Sequence, residues 1–310
     1  MKRLLWLPLL VLLILAGCLT RKPLQEGSSS AEASAVADQE AAGAGKIPEP
    51  VKEPEKKLVE KRIVETLALV AKESSFYAPE ILDNYIVYTY RPAPETGLVK
   101  KQVYDMDNRV TEYVEYQYRD GLPEKAVTYT AEGAVKFYHQ YAHDGRGSLA
   151  EDGMYDAKNS LQTSSGYEYG EDNRKIRWNV YSGDNVLQAY TLYSYGDQGL
   201  ARVDFFSAAG ENENYIIYDY TENGEVGRES YYTAEGVPDR YTEFSYKDGH
   251  AVQEIHYLGS KSVQRKVTYK LDDKGTRLEA VYLNASDIIQ EIKRYEYIYR
   301  DVERTIQVYE

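Results

Sequence analysis

From about residue 80 to the C-terminus, apolar and polar residues alternate in short runs, and turn residues separate the runs. Strict alternation predicts strands with one face covered and one face wet. In the run Val110–Tyr118, one face carries Val110, Glu112, Val114, Tyr116 and Tyr118, and the other carries Thr111, Tyr113, Glu115 and Gln117. The pattern is also self-similar. Tyr104, Tyr129, Tyr155, Tyr181, Phe206, Tyr232, Tyr257 and Tyr282 follow one another at a steady spacing of about 25 residues, a period that marks a repeat architecture. A second aromatic set, from Tyr90 through Tyr118, Tyr141 and Tyr169 to Tyr297, interleaves with looser gaps and the same mean period.

One unit can be written as strand, turn, strand, turn. The first strand ends in an aromatic pair, as in Tyr116-Gln117-Tyr118, Tyr167-Glu168-Tyr169, Tyr193-Ser194-Tyr195, Tyr218-Asp219-Tyr220 and Phe244-Ser245-Tyr246. Asp120-Gly121 and Asp248-Gly249 then offer the positive φ angles that tight hairpins need. The second strand leads to a second turn, identical at Tyr129-Thr130-Ala131-Glu132-Gly133 and Tyr232-Thr233-Ala234-Glu235-Gly236. Such short connections leave no room for crossovers, so neighbouring strands are antiparallel. About eight units over 80–310 predict some sixteen to eighteen strands. The expected fold is mainly β: an elongated antiparallel meander, a β-hairpin solenoid of one twisted or coiled sheet that curls around its tyrosine face or displays it.

Upstream of the repeats the pattern is different. Lys2 and Arg3 precede an apolar run, Leu4–Ala16, too short to span a bilayer and right for a secretory leader. Residues 18–54 are rich in Ser, Ala, Gly, Glu and Pro without apolar period, which predicts a disordered tether. Over 55–73, Val59, Ile63, Leu67 and Val70 stand three or four apart among charges. This spacing predicts one short N-terminal amphipathic helix, which either caps the repeat domain or meets a partner.

Composition sharpens this picture in three ways. Tyrosine is anomalous, at 32 residues against 5 Phe and 2 Trp, and suits half-buried surfaces with a wet hydroxyl. The formal charge of −13, or −15 without Lys2 and Arg3, repels phosphate backbones and argues against nucleic acid as a partner. Cys18 is the only cysteine, so no internal disulfide can form.

Leu15-Ala16-Gly17-Cys18 resembles the lipobox of bacterial lipoproteins. That resemblance implies cleavage of a 1–17 signal peptide and diacylation of Cys18. It also implies attachment of the mature chain to the cell envelope through its lipid, with Leu19 leaning towards the outer membrane or cell surface over the inner membrane. The Tyr-x-Tyr units, with Arg294-Tyr295-Glu296-Tyr297, resemble the YD repeats of Rhs-type proteins, and the tandem hairpins resemble MORN-type repeats. These imply a hairpin-repeat fold. Consecutive Tyr-Asp persists mainly at Tyr104-Asp105, Tyr155-Asp156 and Tyr218-Asp219, and the many glycines of a MORN unit are missing.

Catalytic chemistry is sparse. No nucleophile elbow, P-loop or dinucleotide fingerprint occurs. His139 and His143 fall where a strand end and its turn are expected, and read as exposed loop residues. Asp105-Met106-Asp107-Asn108 and Asp272-Asp273-Lys274-Gly275 supply only part of a calcium loop and read better as hairpin turns. No cofactor, metal site or enzyme activity is expected, although the abundant carboxylates leave a glycan hydrolase as the rival. The candidate binding surface is the tyrosine ladder: Tyr116, Tyr118, Tyr167, Tyr169, Tyr193, Tyr195, Tyr218, Tyr220 and Tyr246. It would meet an envelope protein or a glycan as a binding or scaffolding surface, or pair its edge as a subunit of an envelope assembly.

Overall fold

The computed structural model describes residues 58–309 apart from Ser260. The expected signal peptide, the expected lipidation at Cys18 and the expected tether fall outside the described residues. Eighteen strands follow in sequence: β1 (Leu58–Ala78), β2 (Ile81–Tyr90), β3 (Leu98–Asp105), β4 (Val110–Arg119), β5 (Leu122–Thr130), β6 (Val135–His143), β7 (Leu149–Asp156), β8 (Leu161–Tyr169) and β9 (Lys175–Ser182). The second half runs β10 (Leu187–Tyr195), β11 (Leu200–Ser207), β12 (Asn212–Tyr220), β13 (Val226–Thr233), β14 (Pro238–Lys247), β15 (His250–Leu258), β16 (Ser262–Leu271), β17 (Arg277–Asn284) and β18 (Ile289–Tyr309). Each strand pairs antiparallel with the next, and β1 pairs with both β2 and β18. The sheet is therefore a closed barrel.

Two expectations are corrected. The sheet is not an open or coiled solenoid, because its first and last strands find each other and abolish both edges. The expected helix over 55–73 is a strand, and the described residues contain no helix. Val59, Ile63 and Leu67 lie four apart, an interval that fits a strand's period of two as well as a helical face. The β-branched Val59, Ile63, Val64 and Thr66 favour the strand, and the partner that decides it, β18, stands at the far end of the chain. The expected strand number, antiparallel pairing and hairpin units are all present.

Turns and bulges curve the sheet. The tight hairpins at Asp120-Gly121 and Asp248-Gly249 place both residues at positive φ, as type I′ turns require. Most other turns close with a bond from the first residue's N–H to the fifth residue's carbonyl and put Gly, Asn or Asp at positive φ in fourth place. At several of these the first residue caps its own turn, as when Asp156 Oδ1 accepts the N–H groups of Lys158 and Ser160 at 2.8 and 2.9 Å. Asp105 and Asp272 do the same, so both partial calcium motifs are self-capped hairpin turns. A register shift accompanies nearly every turn. Each such bulge adds twist and bend, and repetition round the ring brings β18 back to β1.

The second tyrosine of each Tyr-x-Tyr acts as a latch. The hydroxyls of Tyr90, Tyr118, Tyr169, Tyr195, Tyr220, Tyr246 and Tyr297 each donate to the backbone carbonyl 20 residues upstream, at 2.6 to 3.0 Å. That carbonyl belongs to the start of the preceding strand, or to Val70 for Tyr90. Gly199 shows how close the approach is: a Cβ there would lie 2.6 Å from the Tyr220 hydroxyl.

No packed centre exists, because the wall is one sheet thick. The most buried apolar side chains, Val203, Val267, Ala280 and Ile292 at 0 to 4% exposure, sit between neighbours within the wall. Beyond the rim, residues 58–70 of β1 pair only with 297–309 of β18. At about 3.3 Å per residue this two-stranded ribbon projects about 40 Å.

Tyr169→Phe removes one latch bond and should cost about 1 kcal/mol in urea unfolding. Tyr297→Phe, several strands away, should add to it. An unchanged midpoint in both would mean that water serves these carbonyls equally well.

Candidate functional site

The two faces of the wall are unlike. The first aromatics of the Tyr-x-Tyr units share one face with Tyr141, which holds the equivalent place on β6. Burial pushes the phenols of Tyr88, Tyr116, Tyr141, Tyr167 and Tyr218 up, and that of Tyr193 to about 12. Phenols two strands apart also act on each other there: Tyr116 on Tyr141, Tyr167 on Tyr193, Tyr193 on Tyr218. Side chains converge in this way on the concave side of a curved sheet, so this face is the lumen. Barrels of about 16–18 strands are wide enough to leave an aqueous channel. No described contact reaches across it.

The opposite, outer face has its own repeat. Tyrosines from paired strands stack, as in Tyr85–Tyr104, Tyr113–Tyr129, Tyr215–Tyr232 and Tyr241–Tyr257, with centroids 4.4 to 5.0 Å apart. A cation from the preceding strand covers the stack: Lys72 on Tyr85, Lys100 on Tyr113, Lys125 on Tyr138, Arg177 on Tyr190, Arg202 on Tyr215 and Arg228 on Tyr241. Ion pairs such as Lys100–Glu115 at 3.1 Å, Arg202–Asp204 at 2.6 Å and Arg294–Glu279 at 2.8 Å fill the same face. A lipid-facing barrel needs an unbroken apolar band, and one Arg or Lys at mid-bilayer costs about 2–4 kcal/mol. This outer wall carries cations and ion pairs in place of such a band.

The lumen carries its titratable groups in clusters. On β6 and β7, His139 Nδ1 lies 2.7 Å from Asp152 Oδ1, beside Tyr141, whose phenol burial and the Asp152 charge both raise. His139 is therefore a lumen residue in mid-strand, not the exposed loop residue expected, while His143 closes the same strand. A larger cluster spans β13–β17. Thr242 Oγ1 lies 3.0 Å from His256 Nδ1, and His256 Nε2 lies 3.4 Å from Glu254 and 3.3 Å from Arg265. Tyr269 donates to Glu254, and Arg277 lies 3.6 Å above the Tyr269 ring. Burial would raise Glu254, but hydrogen bonds from His256 and Tyr269 hold it low. Glu229, two strands away, has a raised pKa, from burial first and then from the Glu254 charge. On β18, burial works against the charged form of Lys293, yet Glu73, which accepts from its Nζ at 2.8 Å, keeps it high.

The expected tyrosine surface divides into two roles. Tyr116, Tyr167, Tyr193 and Tyr218 present half-buried rings to the lumen. Tyr118, Tyr169, Tyr195, Tyr220 and Tyr246 are latches at the strand ends. Glu229, Glu254, His256, Trp178 and Lys175 were not singled out by sequence. The signal for them was their position opposite, or close to, the first aromatic of each repeat. Among the described residues no group of His, Cys, Asp and Glu side chains is arranged to hold a metal ion.

No family model and no curated protein matches the chain. Among solved structures it is similar to a porin-like protein from Bacteroides uniformis, with 11% identity and a TM-score of 0.40 over 74% of this chain and 98% of that one. A porin-like protein from Bacteroides vulgatus gives 12% identity and a TM-score of 0.30 over 74% and 98%. The complex TcdB2-TccC3-Cdc42 gives 11% and 0.24, and the match covers 79% of this chain but 15% of that one. Likenesses this distant do not bear on function.

Glu229 tests the lumen electrostatics. Its folded pKa lies above its unfolded one, so the stability it contributes is present below the unfolded pKa and is lost as pH rises through the folded one. Glu229→Gln should therefore raise the melting temperature at pH 7 and leave it unchanged at pH 3.5. Equal melting of both proteins at pH 7 would contradict a desolvated carboxylate.

Proposed function

We propose that this protein is a lipid-tethered barrel that stands in water beside a bacterial envelope membrane and binds a glycan along its tyrosine-lined lumen. The observation that supports it most is the division of the wall: cations and ion pairs outside, an array of half-buried phenols inside. Tyrosine offers an apolar ring face to sugar C–H groups and a hydroxyl to their oxygens, and the carboxylates, histidines and arginines beside it supply orienting hydrogen bonds. The anchor is Cys18, and the Ser/Ala/Gly/Glu/Pro segment joins it to residue 58 at the tip of the projecting ribbon.

One observation favours a second reading, glycan hydrolysis: Glu229 and Glu254 have pKa values pushed in opposite directions, as an acid and its partner carboxylate need. Release of reducing ends, lost in both Glu229→Gln and Glu254→Gln, would establish it over simple binding.

Cys18→Ser should move the protein from the membrane fraction to the soluble fraction, and sedimentation unchanged by this variant would sink the tether. On a glycan array, Tyr193→Ala and Tyr218→Ala should each weaken retention at least tenfold, while the outward Tyr113→Ala should not. The reverse pattern would place binding on the outer wall.

A further inference from the structure

The repeat provides its own control, because equivalent lumen positions recur in each unit and a departure from them breaks a local rule. The residue whose carbonyl receives the tyrosine latch is such a position. It is Val70, Leu98, Leu149, Leu200 and Val226 in five units, but Lys175 and Arg277 in two. Arg277 has a counter-charge in reach, since it acts on Glu254 and covers Tyr269. Lys175 has none: among the described residues it forms no ion pair, and burial alone perturbs its ammonium, downwards. Its Nζ instead lies 4.6 Å from the Tyr167 ring centroid and 5.8 Å from that of Tyr193.

Three positions further on, the equivalent residues include Glu73, Lys101, Asp152, Val203 and Ala280. Here the residue is Trp178, opposite Tyr167. Its indole stacks on the same Tyr167 ring, with centroids 6.4 Å apart and planes 13° apart, and its Nε1–H is buried without an acceptor. One stretch of lumen thus gathers three aromatic rings, a cation without a counter-ion and a donor without an acceptor. A half-buried cation without a counter-charge and an orphan donor are each unfavourable. Both costs are relieved if a bound group brings negative charge and acceptor oxygens, carried on a ring whose C–H face the aromatics can cover.

We propose that Lys175, Trp178, Tyr167 and Tyr193 form a subsite for a carboxylated sugar residue. The carboxylate would sit on the Lys175 ammonium, the indole N–H would donate to a sugar or carboxylate oxygen, and the sugar ring would lie against the aromatic faces. This inference rests on the glycan reading of the lumen and adds the class of sugar.

Tryptophan emission reports the site, because Trp6 and Trp178 are the only tryptophans and Trp178→Phe gives the background. The full chain is titrated with tetragalacturonate and, separately, with its methyl ester, which keeps the backbone and removes the charge. The free acid should bind at least tenfold more tightly and shift Trp178 emission. Lys175→Met should abolish that preference, bringing acid and ester to equal affinity, and Lys175→Arg should retain it. Equal binding of acid and ester, or a preference that survives Lys175→Met, would overturn the subsite while leaving the glycan reading standing. Sodium acetate matching the tetramer's effect at equal concentration would reduce the site to a simple anion trap and also overturn it. No binding of either tetramer overturns it too, and if no array glycan is retained the broader reading falls with it.

Discussion

The pairing of the first strand with the last is the constraint on which the rest of this structure depends. A single-layer sheet with one polar face and one half-apolar face has no core to hold it, and two open edges would invite association with other chains. Joining β1 to β18 removes both edges and creates an inside. The inside then changes the chemistry of every residue that faces it. Tyr116 and Tyr113 lie on one strand and opposite faces: burial raises the phenol of the first, while the second stacks on Tyr129 under Lys100. Closure also explains why β1 and β18 are about twice as long as their neighbours: the same pairing that seals the wall continues past the rim as a ribbon.

Each unit solves the same local problems with the same residues. Bulges at the turns curl the sheet, the second tyrosine of each pair secures a carbonyl at the neighbouring strand's start, and a cation laid on a stacked tyrosine pair stiffens the outer surface. These interactions are individually worth about 1 kcal/mol or less, but they recur round most of the ring. Stability is therefore distributed, as in linear repeat proteins, with one difference. A linear array has ends that can fray, whereas here every strand, including the first and the last, has a paired neighbour on each side.

Much of this order was legible in the chain. The hairpin unit, the strand count, the antiparallel pairing and the face assignment of Val110–Tyr118 all follow from period and turn chemistry. Closure was not legible, because nothing local distinguishes a strand that meets its sequence neighbour from one that meets a partner at the opposite end of the chain. The same limit made Val59, Ile63 and Leu67 look helical. It also hid the cluster of Glu229, Glu254 and His256: each of these reads as an ordinary polar position on a wet face until curvature turns that face inward. Lys175 was visible as a residue but not as an exception, since its meaning comes from alignment with the latch position of other units.

The distribution of charge between the two walls carries the functional argument furthest. A barrel that spans a membrane puts its charges inside and leaves its outer band bare. This one sets Lys100, Lys125, Arg202 and Arg228 outside, each over a tyrosine, and places groups whose charge is disfavoured by burial, Glu229 and Lys175, inside. The outer cations all lie on ring faces, and Lys100 and Arg202 have a carboxylate partner as well. The inner ones are not equally satisfied: Glu254 has His256 and Tyr269, Lys293 has Glu73, and Lys175 has only ring faces. A half-buried ammonium that meets only ring faces is incomplete at that point, and the proposed ligand supplies its counter-charge from the lumen.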